Sequence, residues 1–257
     1  MLGFLAIYKK EMRTYFTSPV AYAILTIFLI ISGFFFLNNI FSYSNVSLQY
    51  GNYPQAQSYL NIGQSILRPL FQNLAVIMLF FIPILTMRLI AEEKHSGTLK
   101  LLLSYPITDK AVLLGKFFAV VTILIIMYLL TFPYVVMLFV FASPEIGPFI
   151  TNYLGIILMG TAFISLGIFA SAITERQVVA AVISFGALIM FWVISWMETK
   201  TSEVFSKVLE DISIFNHLEN FTKGIINTHD IVYYVLFICF FLFLALVALE
   251  SRTWRSK

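Results

Sequence analysis

The chain has 257 residues, 60% of them hydrophobic and 11% charged, against roughly 45–50% and 25% in an ordinary soluble domain. That balance excludes a water-solvated globular fold, so the unit to count is the membrane crossing, at about 20 apolar residues each. The net charge of +3 does not mark a nucleic-acid binder, because no basic cluster is interleaved with exposed aromatics, and the single cysteine, Cys239, excludes a disulfide framework or thiolate metal site.

The first element alternates Lys9, Lys10, Glu11 and Arg13 with Phe4, Ile7, Tyr8, Met12, Tyr15 and Phe16. This pattern predicts a helix over 3–17 lying in the membrane interface, or else a juxtamembrane anchor with no partner. An apolar run from about 20 to 41 follows. It is longer than a signal-peptide core and no small-residue cleavage site follows it, so it reads as a retained helix. After a Tyr, Asn, Gln and Ser-rich connection over 42–68 come apolar runs at about 69–87, 117–142, 149–173, 178–197 and 231–249. A bilayer core offers backbone groups no water, so these six runs are helices and the fold class is all-α. Pro83 and Pro133 fall inside the second and third runs and are expected to kink them. The fourth and fifth are joined by a tight Thr174-Glu175-Arg176-Gln177 hairpin. Before the sixth, residues 198–230 form an outer segment in which Val204, Val208, Ile212 and Phe215 recur at helical spacing, predicting one or two short amphipathic helices.

Basic residues sort unevenly between the two sides. Lys9, Lys10, Arg13, Arg88, Lys94, Lys100, Lys110, Lys116, Arg176, Arg252, Arg255 and Lys257 share one side, and Arg68, Lys200, Lys207 and Lys223 the other. Positive residues are retained in the cytoplasm during insertion, so both termini are expected there. None of the six apolar runs contains Asp, Glu, Lys, Arg or His, which disfavours a proton- or ion-coupled carrier. The histidines, His95, His217 and His229, are expected in loops as solvated imidazoles. No phosphate-binding G-x-x-x-x-G-K-[ST] loop occurs, so ATP energy has to arrive from another subunit. No catalytic site, metal or cofactor is expected.

The loop over 88–112 is longer than a simple reversal requires. Ser96 or Thr98 is placed to cap a short helix, Leu99, Leu102 and Leu103 form an i, i+3, i+4 stripe, and Pro106 ends it. Thr108 and Asp109 then start the next helix. The same residues could instead lay a short helix on lipid.

With Glu92, Glu93, Gly97, Thr98, Leu99, Leu102, Leu103 and Pro106, this loop resembles the first cytoplasmic loop of the ABC-2 class of ATP-binding-cassette permeases. Where the wider class commonly has arginine-rich acidic pairs, this chain has Glu92-Glu93-Lys94-His95. More narrowly, the stretch from Ile214 to Tyr234 and the Leu249-to-Trp254 ending look like permeases associated with gliding motility. The resemblance implies one permease domain over 1–257, with a type V exporter-like bundle, an N-terminal interfacial helix and a cytoplasmic coupling helix. It also implies a multi-pass location in a bacterial inner membrane, a separate ABC ATPase whose cleft receives the loop helix, and a second permease chain, identical or similar. Two functions stay open: an exporter of unidentified substrate, or a non-transporting membrane subunit relaying ATPase cycles to a periplasmic or accessory partner.

Overall fold

The computed structural model describes residues 2–50, 62–98, 108–141, 146–197 and 211–255. These residues are helical apart from short connections, with no strand among them. In chain order the helices are α1 (Leu2–Thr17), α2 (Pro19–Tyr50), a π-helical turn (Gly63–Leu67), α3 (Arg68–Thr86), α4 (Ala91–His95), α5 (Asp109–Leu129), α6 (Phe132–Phe141), α7 (Ile146–Ile173), α8 (Gln177–Met197), α9 (Ile214–Thr222) and α10 (Thr228–Arg255). Six helical spans are long and apolar enough to cross a membrane, as the apolar runs predict.

The ends of the spans differ from the sequence expectation in ways the side chains explain. The first crossing helix continues through Ser42–Tyr50, which was expected as connection, because a polar sequence outside the hydrocarbon still satisfies its own backbone as helix. The third span begins at Asp109, well before the expected 117, and Thr108 accepts a hydrogen bond from the Ala111 amide as its cap. It then breaks at Leu130–Thr131 instead of running unbroken to 142. Thr131 Oγ1 donates to the Tyr128 carbonyl at 2.7 Å and pairs with the Tyr153 hydroxyl at 2.8 Å. Pro133 therefore sits in the first turn of α6, where a missing N–H costs nothing, and does not kink a helix interior. Pro83 does lie inside α3, which ends one turn later.

α7 is the centre of the bundle, packed by α3, α5, α8, α9 and α10. In a bilayer, helix association depends on close packing because lipid is as apolar as the helices, and small residues permit it. A Cβ placed on Gly155 would lie 2.5 Å from Phe221 Cβ, on Gly160 2.7 Å from Leu124, and on Gly167 2.3 Å from Thr86 Oγ1. The outward faces of α2, α8 and α10 instead carry exposed Ile30, Phe34, Val182, Met190, Phe240 and Phe243, a surface suited to acyl chains.

Candidate functional site

At the end of the bundle that carries both termini, α1 lies along α5. Gly115 of α5 makes this approach possible, since a Cβ there would meet Ile7 Cγ2 at 2.9 Å and the Phe4 carbonyl at 3.2 Å. Ile7, Glu11 and Tyr15 share one face at i, i+4, i+8, and all three are buried. Glu11 on that face meets Lys116 of α5 at 2.7 Å. Lys116 is only 1% exposed, and its ammonium also lies 2.9 Å from Glu93 of α4. Glu93 Oε1 accepts from Lys10 of α1 as well, at 2.7 Å. One carboxylate oxygen thus joins α1, α4 and α5, while Glu93 Oε2 is buried with no hydrogen-bond partner among the described residues.

Burial works against charge on Lys10, but the hydrogen bond and charge of Glu93, reinforced by Glu11, outweigh it and hold its pKa above the ordinary lysine value. The ammonium therefore stays charged throughout the physiological range. Tyr15 completes the docking of α1 by donating to the Leu85 carbonyl at 2.8 Å, with the Arg88 guanidinium 5.0 Å over its ring. Burial, opposed by the Arg88 charge, pushes its hydroxyl pKa up, so it remains a neutral donor.

A third anchor comes from α7. The residue before α4, Ile90, provides no side-chain cap, and helix N-termini leave amides unsatisfied. Ser171 Oγ accepts from the amides of Ile90 and Ala91 at 3.1 and 3.0 Å and donates to the Met87 carbonyl at 3.0 Å. A hydroxyl on one helix thereby caps another. Lys94 Nζ donates to the Ala172 carbonyl in the last turn of α7, where a cation is favoured by the helix dipole. The five-residue α4 is held by α1, α5 and α7 together.

Of the residues picked from sequence, Glu93 lies in this charged node, while Glu92 is exposed on α4. Gly97 has φ +72 directly after the α4 C-cap, Ser96, where glycine ends a helix without a Cβ penalty. The Thr98 hydroxyl pairs with Ser96 Oγ at 2.8 Å and donates to the Glu93 carbonyl at 3.4 Å. Ser96 also donates back to the Glu92 carbonyl, finishing α4. Leu99, Leu102, Leu103 and Pro106 lie outside the described residues, as do Val204 and Val208.

Two readings need correction. Lys116, counted with the loop cations, is buried in the bundle because it shares a helical face with Val112, Leu113, Phe117 and Val120. His217, expected as a solvated loop imidazole, is 5% exposed on α9 and pairs with Asp230 at 2.6 Å. His229 at the start of α10 and His95 at the end of α4 are exposed, but both are helical. Lys116 and Glu11 were missed although their register shows them: each interrupts an otherwise apolar stripe at helical spacing. Ser171 had no such signal, because its role depends on where another helix begins.

The node is thus a buried, multiply paired cation that ties three helices together. No curated protein matches this chain. A family model described as ABC-2 family transporter protein matches residues 5–252, and family membership carries with it an ABC ATPase partner and embedding in a membrane. The chain, with six crossing-length helices and a family match over nearly its whole length, belongs to the ABC-2 family of transporter permeases.

Proposed function

We propose that this permease is the membrane-spanning half of an ATP-driven exporter, that its termini face the cytoplasm, and that ATPase motion enters through residues 99–107. Leu99, Leu102 and Leu103 supply the apolar contact, Pro106 ends it, and Glu92 with Thr98 flanks it. The observation that carries this reading is the node at Glu93 and Lys116, where α4, adjacent to the contact segment, is bonded to both α1 and α5. Rigid elements joined in this way move as a unit when one is displaced. A second permease chain, identical or similar, completes the path across the bilayer. The stretches over 214–234 and 249–254 favour the gliding-associated branch of the family.

The test is Leu102→Asp. A carboxylate placed in an apolar contact without a partner costs several kcal/mol, whereas helices embedded in lipid are untouched. The variant permease should insert normally and lose co-purification with its ATPase. Normal association and activity would show that this segment is not the contact. ATP-dependent solute movement by wild-type complex in liposomes supports export; ATPase stimulation without solute movement supports the relay to an accessory protein.

A further inference from the structure

At the end of the bundle opposite the termini, His217 is held between two acceptors. Its Nε2 lies 3.2 Å from the Asp211 carbonyl and its Nδ1 lies 2.6 Å from Asp230 Oδ1. One ring nitrogen thus faces a backbone carbonyl and the other a carboxylate. A contact this short between an imidazole and a carboxylate is either an ion pair or two ligands of one metal ion.

The surroundings distinguish these two. A His–Asp ion pair needs no third group, yet His229 Nδ1 stands 3.8 Å from the same Asp230 oxygen, and the donor atoms of all three residues lie within 4.8 Å of one another. Donors at about 2.0–2.2 Å from a tetrahedral metal are separated by a little over 3 Å. Closure therefore needs the 2.6 Å contact to open slightly and His229 to move inward. His229 is 70% exposed on the first turn of α10 and is free to do so. It also provides the route in, since His217 and Asp230 are buried.

The supporting groups fit a metal as well. Ligating imidazoles commonly donate their other N–H to a backbone carbonyl, and ligating carboxylates are themselves hydrogen-bonded. The Asp211 carbonyl meets the first condition. Asn220 Nδ2, donating to Asp230 Oδ2 at 2.9 Å, meets the second. Tyr233 stacks on the His217 ring at 4.0 Å and fixes its plane. Two nitrogens and one oxygen suit a borderline divalent cation such as Zn²⁺ in preference to Mg²⁺ or Ca²⁺, which favour all-oxygen sites.

We propose that His217, Asp230 and His229 form a binding site for a divalent transition-metal ion of the Zn²⁺ class, which fastens α9 to the start of α10. On binding, the metal takes the place between His217 Nδ1 and Asp230 Oδ1, and any proton held by the ligating atoms leaves to solvent.

The experiment is a calorimetric Zn²⁺ titration of tag-free, full-length permease in detergent, beside His229→Ala and Asn220→Ala. His229→Ala removes the exposed ligand and leaves the buried pair intact, so its fold is expected to persist. Wild type should bind one Zn²⁺ per chain and unfold at a higher temperature with Zn²⁺ than without. His229→Ala should bind at least tenfold more weakly and lose the thermal shift. Asn220→Ala should weaken binding about 10- to 100-fold, and a thousandfold excess of Mg²⁺ should not compete. Wild type that binds no Zn²⁺ at micromolar concentration, or binds it as His229→Ala does, overturns the site and leaves an ion pair. Displacement by Mg²⁺ overturns the metal class.

Discussion

A lysine that is 1% exposed inside a helical bundle persists only while its carboxylates are in place. Removing one partner of a buried pair leaves an uncompensated charge and costs about 3–5 kcal/mol, whereas removing both charges together is often near neutral. Lys116→Met should therefore lower the unfolding temperature of the detergent-solubilised permease sharply, because Glu11 and Glu93 are left facing each other with only Lys10 nearby. Adding Glu11→Leu to Lys116→Met should recover much of the loss, since Glu93 keeps its 2.7 Å contact with Lys10. Equal instability of the single and double variants would mean that Lys116 matters for packing alone. The burial of Lys116 was legible only in helical register, where it interrupts an apolar stripe; composition hides it, because an apolar run chosen that way starts after the lysine while the helix starts before it. His217 was misread for a related reason: its burial depends on Asp230 and Tyr233, brought against it only once α9 folds onto α10.

At the scale of elements, α7 is placed by what it lacks. Gly167 faces Thr86, whose hydroxyl donates to the Ile82 carbonyl at 2.8 Å and is buried. A methyl group at 167 would sit 2.3 Å from that hydroxyl oxygen, forcing α3 and α7 apart just where Ser171, one turn further along, caps α4. Gly167→Ala is expected to destabilise by about 1–3 kcal/mol, the usual cost of overpacking. The same change at Gly186, which has open space around it, should be neutral or slightly stabilising through helix propensity. In a Thr86→Ala background Gly167→Ala should cost less, and a thermal-unfolding cycle of the four proteins would reveal that coupling; strict additivity would contradict a direct clash. The long spans were legible because lipid demands length and apolarity, and α4 was not, being five residues long, charged and anchored largely by neighbouring helices.

For the whole molecule, six crossings place the two termini on one side, and the basic residues concentrate on that side too. Lys116 is withdrawn from the count by burial, but Lys9, Lys10, Arg13, Lys94, Lys110 and Arg176 remain there, opposite Arg68 and Lys223. Arg68 and Lys223 are both paired with Glu219, at 2.6 and 3.1 Å, but retention acts on the number of Lys and Arg residues on each side, and that number alone carries the asymmetry. Orientation can be read with single cysteines in a Cys239→Ser background, since the native thiol is free and exposed. Asn45, His95, Glu175 and Asn227 are all exposed, so differences in labelling report sidedness and not burial. In intact cells an impermeant maleimide should modify Asn45→Cys and Asn227→Cys and spare His95→Cys and Glu175→Cys. Breaking the cells should make all four react. The reverse pattern would put α4 and residues 99–107 outside, beyond reach of any ATPase in the cytoplasm, and the proposed coupling route would fail with it. Equal labelling of Asn45→Cys and His95→Cys in intact cells would break the six-crossing topology itself, because an odd number of crossings separates these two positions.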